Sequence, residues 1–283
     1  MSDTSRFPVA RVPLDRAELI EIAGTDAIAF GHAQFSSDVA ALATGAWQWS
    51  AWLSAEGRTR AVFAVLRVAD DRLLAWLPLA GARAIADALA RYVLRAKVRL
   101  QVLDWTLCKA DAMHADDGVV TSDGGYAFAL TDARTAWLGP VQDGAPDPRE
   151  LTRWRLADID AGLPWLAPSL QEKFVPQALD LARIGALRLD KGCFPGQEIA
   201  ARLHFRGGLK QRLHRVTLQG DRDVGTGLAI DAGDISAGVV LYAALSDAHT
   251  WQALAVIGDA AANREQLTSQ HGHVVVLRTN QFA

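Results

Sequence analysis

Residues 190–202 read DKGCFPGQEIAAR, and the chain has only two cysteines, of which Cys193 in this stretch is one. The thiolate is the reactive form of cysteine. A free thiol with a pKa of about 8.5 needs a cationic neighbour or a helix N-terminus to ionise at neutral pH. Lys191 offers the cation. Gly192 and Gly196 let the backbone turn sharply and present its amides, and Pro195 fixes the shape of the turn. QEIAARL opens as a helix, whose N-terminus favours an anion. Gln197 and Glu198 add an amide and a carboxylate at the same place. These residues equally describe a tight turn with an inert thiol and a helix that begins at Glu198, and residue chemistry alone leaves both readings open.

The rest of the chain bounds the choice. It has 283 residues, 50% hydrophobic and 22% charged, ordinary globular values. That length favours two or three subdomains over one core. A net charge of −3 argues against binding nucleic acid with the whole surface, though not with a local basic patch. Cys108 and Cys193 are too far apart in sequence for a disulfide scaffold or a four-thiolate metal site. Cys108, at the end of a strand pattern, reads as a small core residue. The start, MSDTSRFPVA, lacks the basic and apolar regions of a signal peptide, and no run is long and apolar enough to span a bilayer. A reduced, cytoplasmic setting is expected. No phosphate-loop or G-x-S-x-G motif is present, and GTG at 225–227 lacks a dinucleotide fingerprint. His271 and His273 flank a glycine, but without a thiol or H-x-x-x-H spacing they read as loop histidines, so no metal ligands are assigned.

Periodicity organises the chain. AWQWSAWL (46–53) alternates as a strand, with Trp47, Trp49 and Ala51 on one face and Trp52 on the other. Gly57 suits a hairpin turn before the strand-like RAVFAVLRV, and LLAWLPL and VRLQVLDWTLC are further strands. GARAIADALARYVLRAK (81–97) places Ile85, Leu89, Tyr92 and Ala96 at helical spacing. In GPVQDGAPDP, Asp147 is positioned to cap a helix with Pro148 at its first residue and Glu150 in a capping box, and Gly162 closes that helix. After RGGL, near residue 208, HRVTLQG, SAGVVLYAAL, WQALAVIG and HVVVLRT are strands separated by turn residues, the pattern of a small antiparallel barrel or sandwich.

KGCFPGQE at Lys191–Glu198 resembles the K-G-C-[FY]-x-G-Q-E signature of the YgfZ-type folate-binding proteins. DIDAGLPW at Asp158–Trp165 is similar to that family's R-x-E-A-G-x-P region, and KFVPQALDL at Lys173–Leu181 to its F-[IV]-P-Q segment. ARLHFRG continues the signature. The resemblance is sharp over residues 155–210 and diffuse elsewhere. It implies an α+β fold like that of the glycine-cleavage T protein. Mixed α/β subdomains would form a ring around a folate pocket, with a C-terminal antiparallel β-barrel. Residues 1–208 would be the folate-binding region, with room for two subdomains, and residues 209–283 the barrel.

The same resemblance implies a tetrahydrofolate-binding accessory factor for assembly or repair of iron–sulfur proteins, indirectly supporting tRNA modification. The cofactor would be tetrahydrofolate or a one-carbon derivative, and the partners iron–sulfur enzymes or cluster carriers. Direct RNA binding is left open. Cys193 would carry thiol chemistry with Lys191 beside it. One cysteine cannot hold a cluster that takes four thiolates, so Cys193 would bridge one with a partner or act by redox exchange. The folate would meet Asp160 at the pterin, with Gln34, Asp38, Trp49, Arg58, Gln197, Glu198 and Arg202 around it. ARLHFRGGLKQRLHR offers a run of cations without an acid until Asp221, suited to the folate tail, an anionic protein or an RNA backbone.

Three departures from the family pattern are visible. AQFSSDV has Ala33 and Ser36 where Gly and Thr are usual, and Asp160 is one methylene shorter than glutamate. Arg60 and Ala61 stand where aminomethyltransferases carry an Asp-Asp pair. Losing a carboxylate that faces a developing cation removes its electrostatic support. An accessory role is therefore expected over the alternative, a folate-dependent aminomethyl transferase, and the chain leans away from being an enzyme.

Overall fold

The structure, a computed structural model, describes residues 10–111, 113, 118–131, 133–140, 144–220, 223–232, 235–262, 266–269, 274–277 and 282. His271 and His273 lie outside the described residues. The chain forms two compact units, one from residues 1–31, 39–48 and 64–151, the other from residues 32–38, 49–63 and 152–283.

Eight strands form the first sheet: β1 Arg11–Ala23, β2 Ala46–Leu53, β3 Thr59–Ala69, β4 Arg72–Leu77, β5 Arg99–Ala110, β6 Val119–Ser122, β7 Gly125–Thr131 and β8 Arg134–Gly139. Their order is β2-β3-β4-β1-β5-β8-β7-β6. β1 is central: it pairs antiparallel with β5 from Arg11↔Ala110 to Ala23↔Arg99, and with β4 on its other side. Leu14, Leu19, Ile20 and Ile22 of β1 are fully buried. Cys108 is buried on β5 among Ala110, Ala127 and Trp137, as a small core residue. The turn between β2 and β3 is the expected one, with Gly57 at φ +71° and its N–H bonded to the Ser54 carbonyl.

Two helices test the sequence patterns. Helix α3 (Pro148–Asp160) follows α1 (Ala27–Gln34) and α2 (Ala82–Ala90) in chain order. It starts as expected, with Asp147 Oδ1 accepting from the N–H groups of Arg149 (2.8 Å) and Glu150 (3.3 Å). Gly162 adopts φ +65° just past its end. Glu150 pairs with Lys109 at 2.9 Å, and the Asp147 N–H donates to the Pro13 carbonyl at 3.1 Å. Helix α2 is shorter than its pattern. It tightens into i→i−3 bonds at Arg91, Tyr92 and Val93, because the buried stripe ends at Leu89 and Leu94 is 86% exposed.

The C-terminal strands are β9 Gln211–Gln219, β10 Ala229–Ala232, β11 Ile235–Asp247, β12 Thr250–Gly258, β13 Gln266–Ser269 and β14 Val274–Leu277. They follow α4 (Gln197–Arg206), and the short α5 (Asp259–Ala262) lies between β12 and β13. β9 pairs with β12 on one side and β14 on the other, all antiparallel. The expected barrel is met only in part. The sheet, in the order β10-β11-β12-β9-β14-β13, curls until its ends meet, among the described residues, at Ile230↔Ser269 and Asp231↔Thr268. β10 and β13 are four residues each, too short for a longer ladder. Inside the curl, Val216, Leu218, Ile230, Val240, Ala255 and Ile257 form a buried cluster. Ile257→Ala should destabilise the protein by about 2–5 kcal/mol through a cavity in this cluster, read as a lowered urea midpoint.

Candidate functional site

The site is built from two segments that are far apart in sequence. Residues 32–38 leave the C-terminal end of α1, where helix carbonyls lack intrahelical partners. Ser36 anchors this segment. Its N–H bonds the Ala51 carbonyl at 2.9 Å, its hydroxyl donates to the Ala186 carbonyl at 2.6 Å, and its own carbonyl accepts from Arg188 N–H at 2.8 Å. Ser37 and Ser50 hydroxyls meet at 2.7 Å, and both are fully buried.

Lys191 then joins the segments. Its half-buried ammonium donates to the carbonyls of His32 (2.5 Å), Phe35 (2.6 Å) and Ser37 (3.0 Å). Three N–H bonds meet three acceptors, one in the last turn of α1, whose negative end favours a cation, and two in the chain just after it. Burial pushes the ammonium down to about 8, opposed by the charge of Asp38. Gln197 ties the same turn from within, its amide nitrogen donating to the carbonyls of Leu189 (3.3 Å) and Lys191 (3.4 Å).

The turn lies backbone to backbone on the β2–β3 hairpin. Gly196 precedes α4 at φ +76°, and a β-carbon there would stand 2.4 Å from the Ser54 carbonyl oxygen and 2.8 Å from Gly57 Cα. Gly192 faces His32: a β-carbon would stand 3.2 Å from Nε2. The other imidazole nitrogen, Nδ1, lies 3.3 Å from Asp38 Oδ1. Burial and the Lys191 charge lower the histidine's pKa, against the pull of Asp38. Cys193 is exposed on this turn, whereas burial pushes the Cys108 thiol up to about 11.

The candidate residues therefore divide. Lys191, Cys193, Gln197, Gln34 and Asp38 belong to the joined segments, although the ammonium that adjacency pairs with the thiol is committed to α1. Gln34 Oε1 is buried and has no hydrogen-bond partner among the described residues. Trp49 is half-buried, with its ring 4.9 Å from that of Trp165. Arg58 is exposed and donates to the Lys173 carbonyl at 3.2 Å. Glu198 and Arg202 are exposed on α4. Asp160 is 63% exposed at the end of α3 and pairs with Arg215 at 2.5 Å. Among the described residues, no three of His, Cys, Asp and Glu are grouped to hold a metal ion.

Sequence reading missed two residues. His32 carried no signal beyond its place two residues before Gln34. Asp158 is fully buried and accepts from Trp165 Nε1 at 3.0 Å; the spacing Asp158–Trp165 matches two turns of chain, but nothing marks the burial.

Two substitutions probe this architecture. Lys191→Met strands three carbonyls and should cost about 1–3 kcal/mol. Because the native lysine titrates near 8, below its usual 10.5, the unfolded state holds more protons between those values. Wild-type stability should therefore rise relative to Lys191→Met from about pH 8 to 10.5, in denaturant titrations. Gly196→Ala places a β-carbon against backbone on both sides and should lower the melting temperature, while Gly207→Ala, open around its Cα, should lower it less.

No family model matches the chain. It is 27% identical over 259 residues to an uncharacterized protein of Haemophilus influenzae, covering 90% of this chain and 91% of that one. It is 28% identical over 228 residues to the tRNA-modifying protein YgfZ of Vibrio vulnificus, covering 72% and 68%. Among solved structures it resembles the glycine cleavage system aminomethyltransferase T of Bartonella henselae, with a TM-score of 0.67, 14% identity and coverage of 94% of this chain and 85% of that one. With its KGCFPGQE turn in place, the chain is similar to a YgfZ-type protein and has a glycine-cleavage-T-protein-like fold.

Proposed function

We propose that residues 1–208 bind tetrahydrofolate or a one-carbon derivative, and that the chain serves as an accessory factor for iron–sulfur proteins in support of tRNA modification. The observation that carries this reading is the exposed thiol of Cys193 on a turn fixed at both ends, by Lys191 to the carbonyls of residues 32–37 and by Gly196 to the β2–β3 hairpin. A thiol held at a defined place and left open to solvent suits exchange with a partner's thiol or cluster. Lys191 serves this by positioning the turn.

The residues fit a folate. A pterin ring offers N–H donors on one edge, and the orphaned Gln34 Oε1 is an acceptor of the right kind. Trp49 supplies a flat apolar wall. Asp160 meets the pterin by exchanging its ion pair with Arg215, and Asp38, Arg58, Gln197, Glu198 and Arg202 remain candidates for the rest of the molecule. When bound, the folate would supply a one-carbon carrier. Residues 209–283 would form a C-terminal domain within the compact unit that also holds residues 152–208.

Aminomethyl transfer is the weaker reading. Arg60 pairs with Glu172 at 2.6 Å, with its guanidinium 4.7 Å above the Trp52 ring. A cation held there is the opposite of what a developing iminium requires.

Reduced folates should bind in calorimetry, and Asp160→Ala should weaken binding by about ten-fold, near the value of one charged hydrogen bond. The same sample should not turn over an aminomethylated carrier protein; turnover would restore the transferase reading. Iodoacetamide followed by mass spectrometry should modify Cys193 well before Cys108. Cys193→Ala should keep folate binding and lose support of iron–sulfur enzymes in cells lacking the wild-type protein, and full support by that variant would remove the thiol from the function.

A further inference from the structure

The C-terminal end of helix α4, beyond the folate candidates Glu198 and Arg202, carries a second surface. Its sequence, QEIAARLHFR, places Arg202 and Arg206 four residues apart, hence on one face and about 6 Å apart along the axis. Gly207 and Gly208, at φ +70° and +89°, turn the chain so that Lys210 follows directly. Arg202, Arg206 and Lys210 are exposed and make no ion pair with any described residue. From Ile199 to Gly220 the sequence holds no acid.

Between these cations stands an aromatic side chain with nothing over it. Phe205 is 78% exposed, and the His204 ring meets it edge to face at 5.0 Å. Both border a groove of about 470 Å³ with Ala182, Leu187 and Leu189 along it. The one acid in the groove, Asp190, is neutralised by a two-pronged contact with Arg188 at 2.8 and 2.7 Å. Its carboxyl is held down at about 2 by that hydrogen bonding. The groove is therefore largely apolar and aromatic, and Phe205 in its lining is followed in sequence by the exposed Arg206.

A polyanion would satisfy the cations, and a flat ring would satisfy Phe205 and the slot. Single-stranded nucleic acid supplies both in one repeating unit, with phosphates beside bases that stack on aromatic faces. We propose that the α4 face, with Phe205 as its stacking platform and Arg206 and Lys210 as its phosphate contacts, binds a single-stranded segment of RNA. An acidic peptide would answer the charges but leave the aromatic slot without a flat partner.

The test is fluorescence anisotropy with a labelled mixed-sequence 12-nucleotide single-stranded RNA, the same sequence as a duplex, and a poly-glutamate peptide. Single-stranded RNA should bind more tightly than either competitor. Phe205→Ala should weaken it about ten-fold, as loss of one stacked base does. Arg206→Ala and Lys210→Ala should each lower the slope of log affinity against log salt by about 0.7. Phe205→Ala should keep the wild-type melting temperature and calorimetric folate affinity, so loss of RNA binding would stand apart from any failure of the folate reading. No binding at 50 mM salt, equal or tighter binding of duplex or poly-glutamate, or an unchanged affinity in Phe205→Ala would overturn the proposal.

Discussion

The contact between the Lys191 ammonium and the carbonyls of His32, Phe35 and Ser37 holds together what nothing nearby in sequence could. A helix as short as α1 ends in carbonyls that need donors. A lysine that leaves water needs acceptors. Each requirement answers the other, and the result is a fixed point for the turn that carries Cys193. The second fixed point is made without side chains, where Gly196 and Gly57 let two backbones approach closer than any β-carbon permits. Gln197 then closes the turn on itself through the carbonyls of Leu189 and Lys191.

This arrangement separates position from charge. Read as sequence, Lys191 stands two residues from Cys193 and invites an electrostatic role. In the fold, the lysine ammonium is bonded to the carbonyls of His32, Phe35 and Ser37, with the Phe194 ring 5.1 Å away. The same redirection occurs at Arg60, whose guanidinium is drawn to Glu172 and over Trp52, and at Asp160, which finds Arg215. Long charged side chains reach several residues' worth of distance, so sequence spacing constrains them least.

What sequence conveyed best was local. The Asp147 cap, the Gly57 turn and the strand character of AWQWSAWL each depend on a few adjacent residues, and each stands in the structure. The burial of Cys108 followed from its strand. β10 and β13 were not legible, because four residues such as AIDA and QLTS carry no periodicity and take their form from the neighbours they pair with. Helix α2 stopped early because its periodic residues continued past the surface available to bury them. His32 owes its setting to Gly192, remote in sequence, and Asp158 owes its own to Trp165, seven residues on, whose burial no local pattern marks.

The close approach of Gly57 and Gly196 also limits how this chain can drift. A β-carbon at Gly196 would stand against the Ser54 and Gly57 backbone, and one at Gly57 against the Ile199 side chain of α4 at 2.8 Å, so a side chain at either would shift the hairpin or α4. The two glycines therefore behave as one inherited unit, although 139 positions separate them. Variation can accumulate on the open side of the turn, at Cys193 and Glu198, without disturbing the pair. The chemistry of the loop is thus free to change while its location is not.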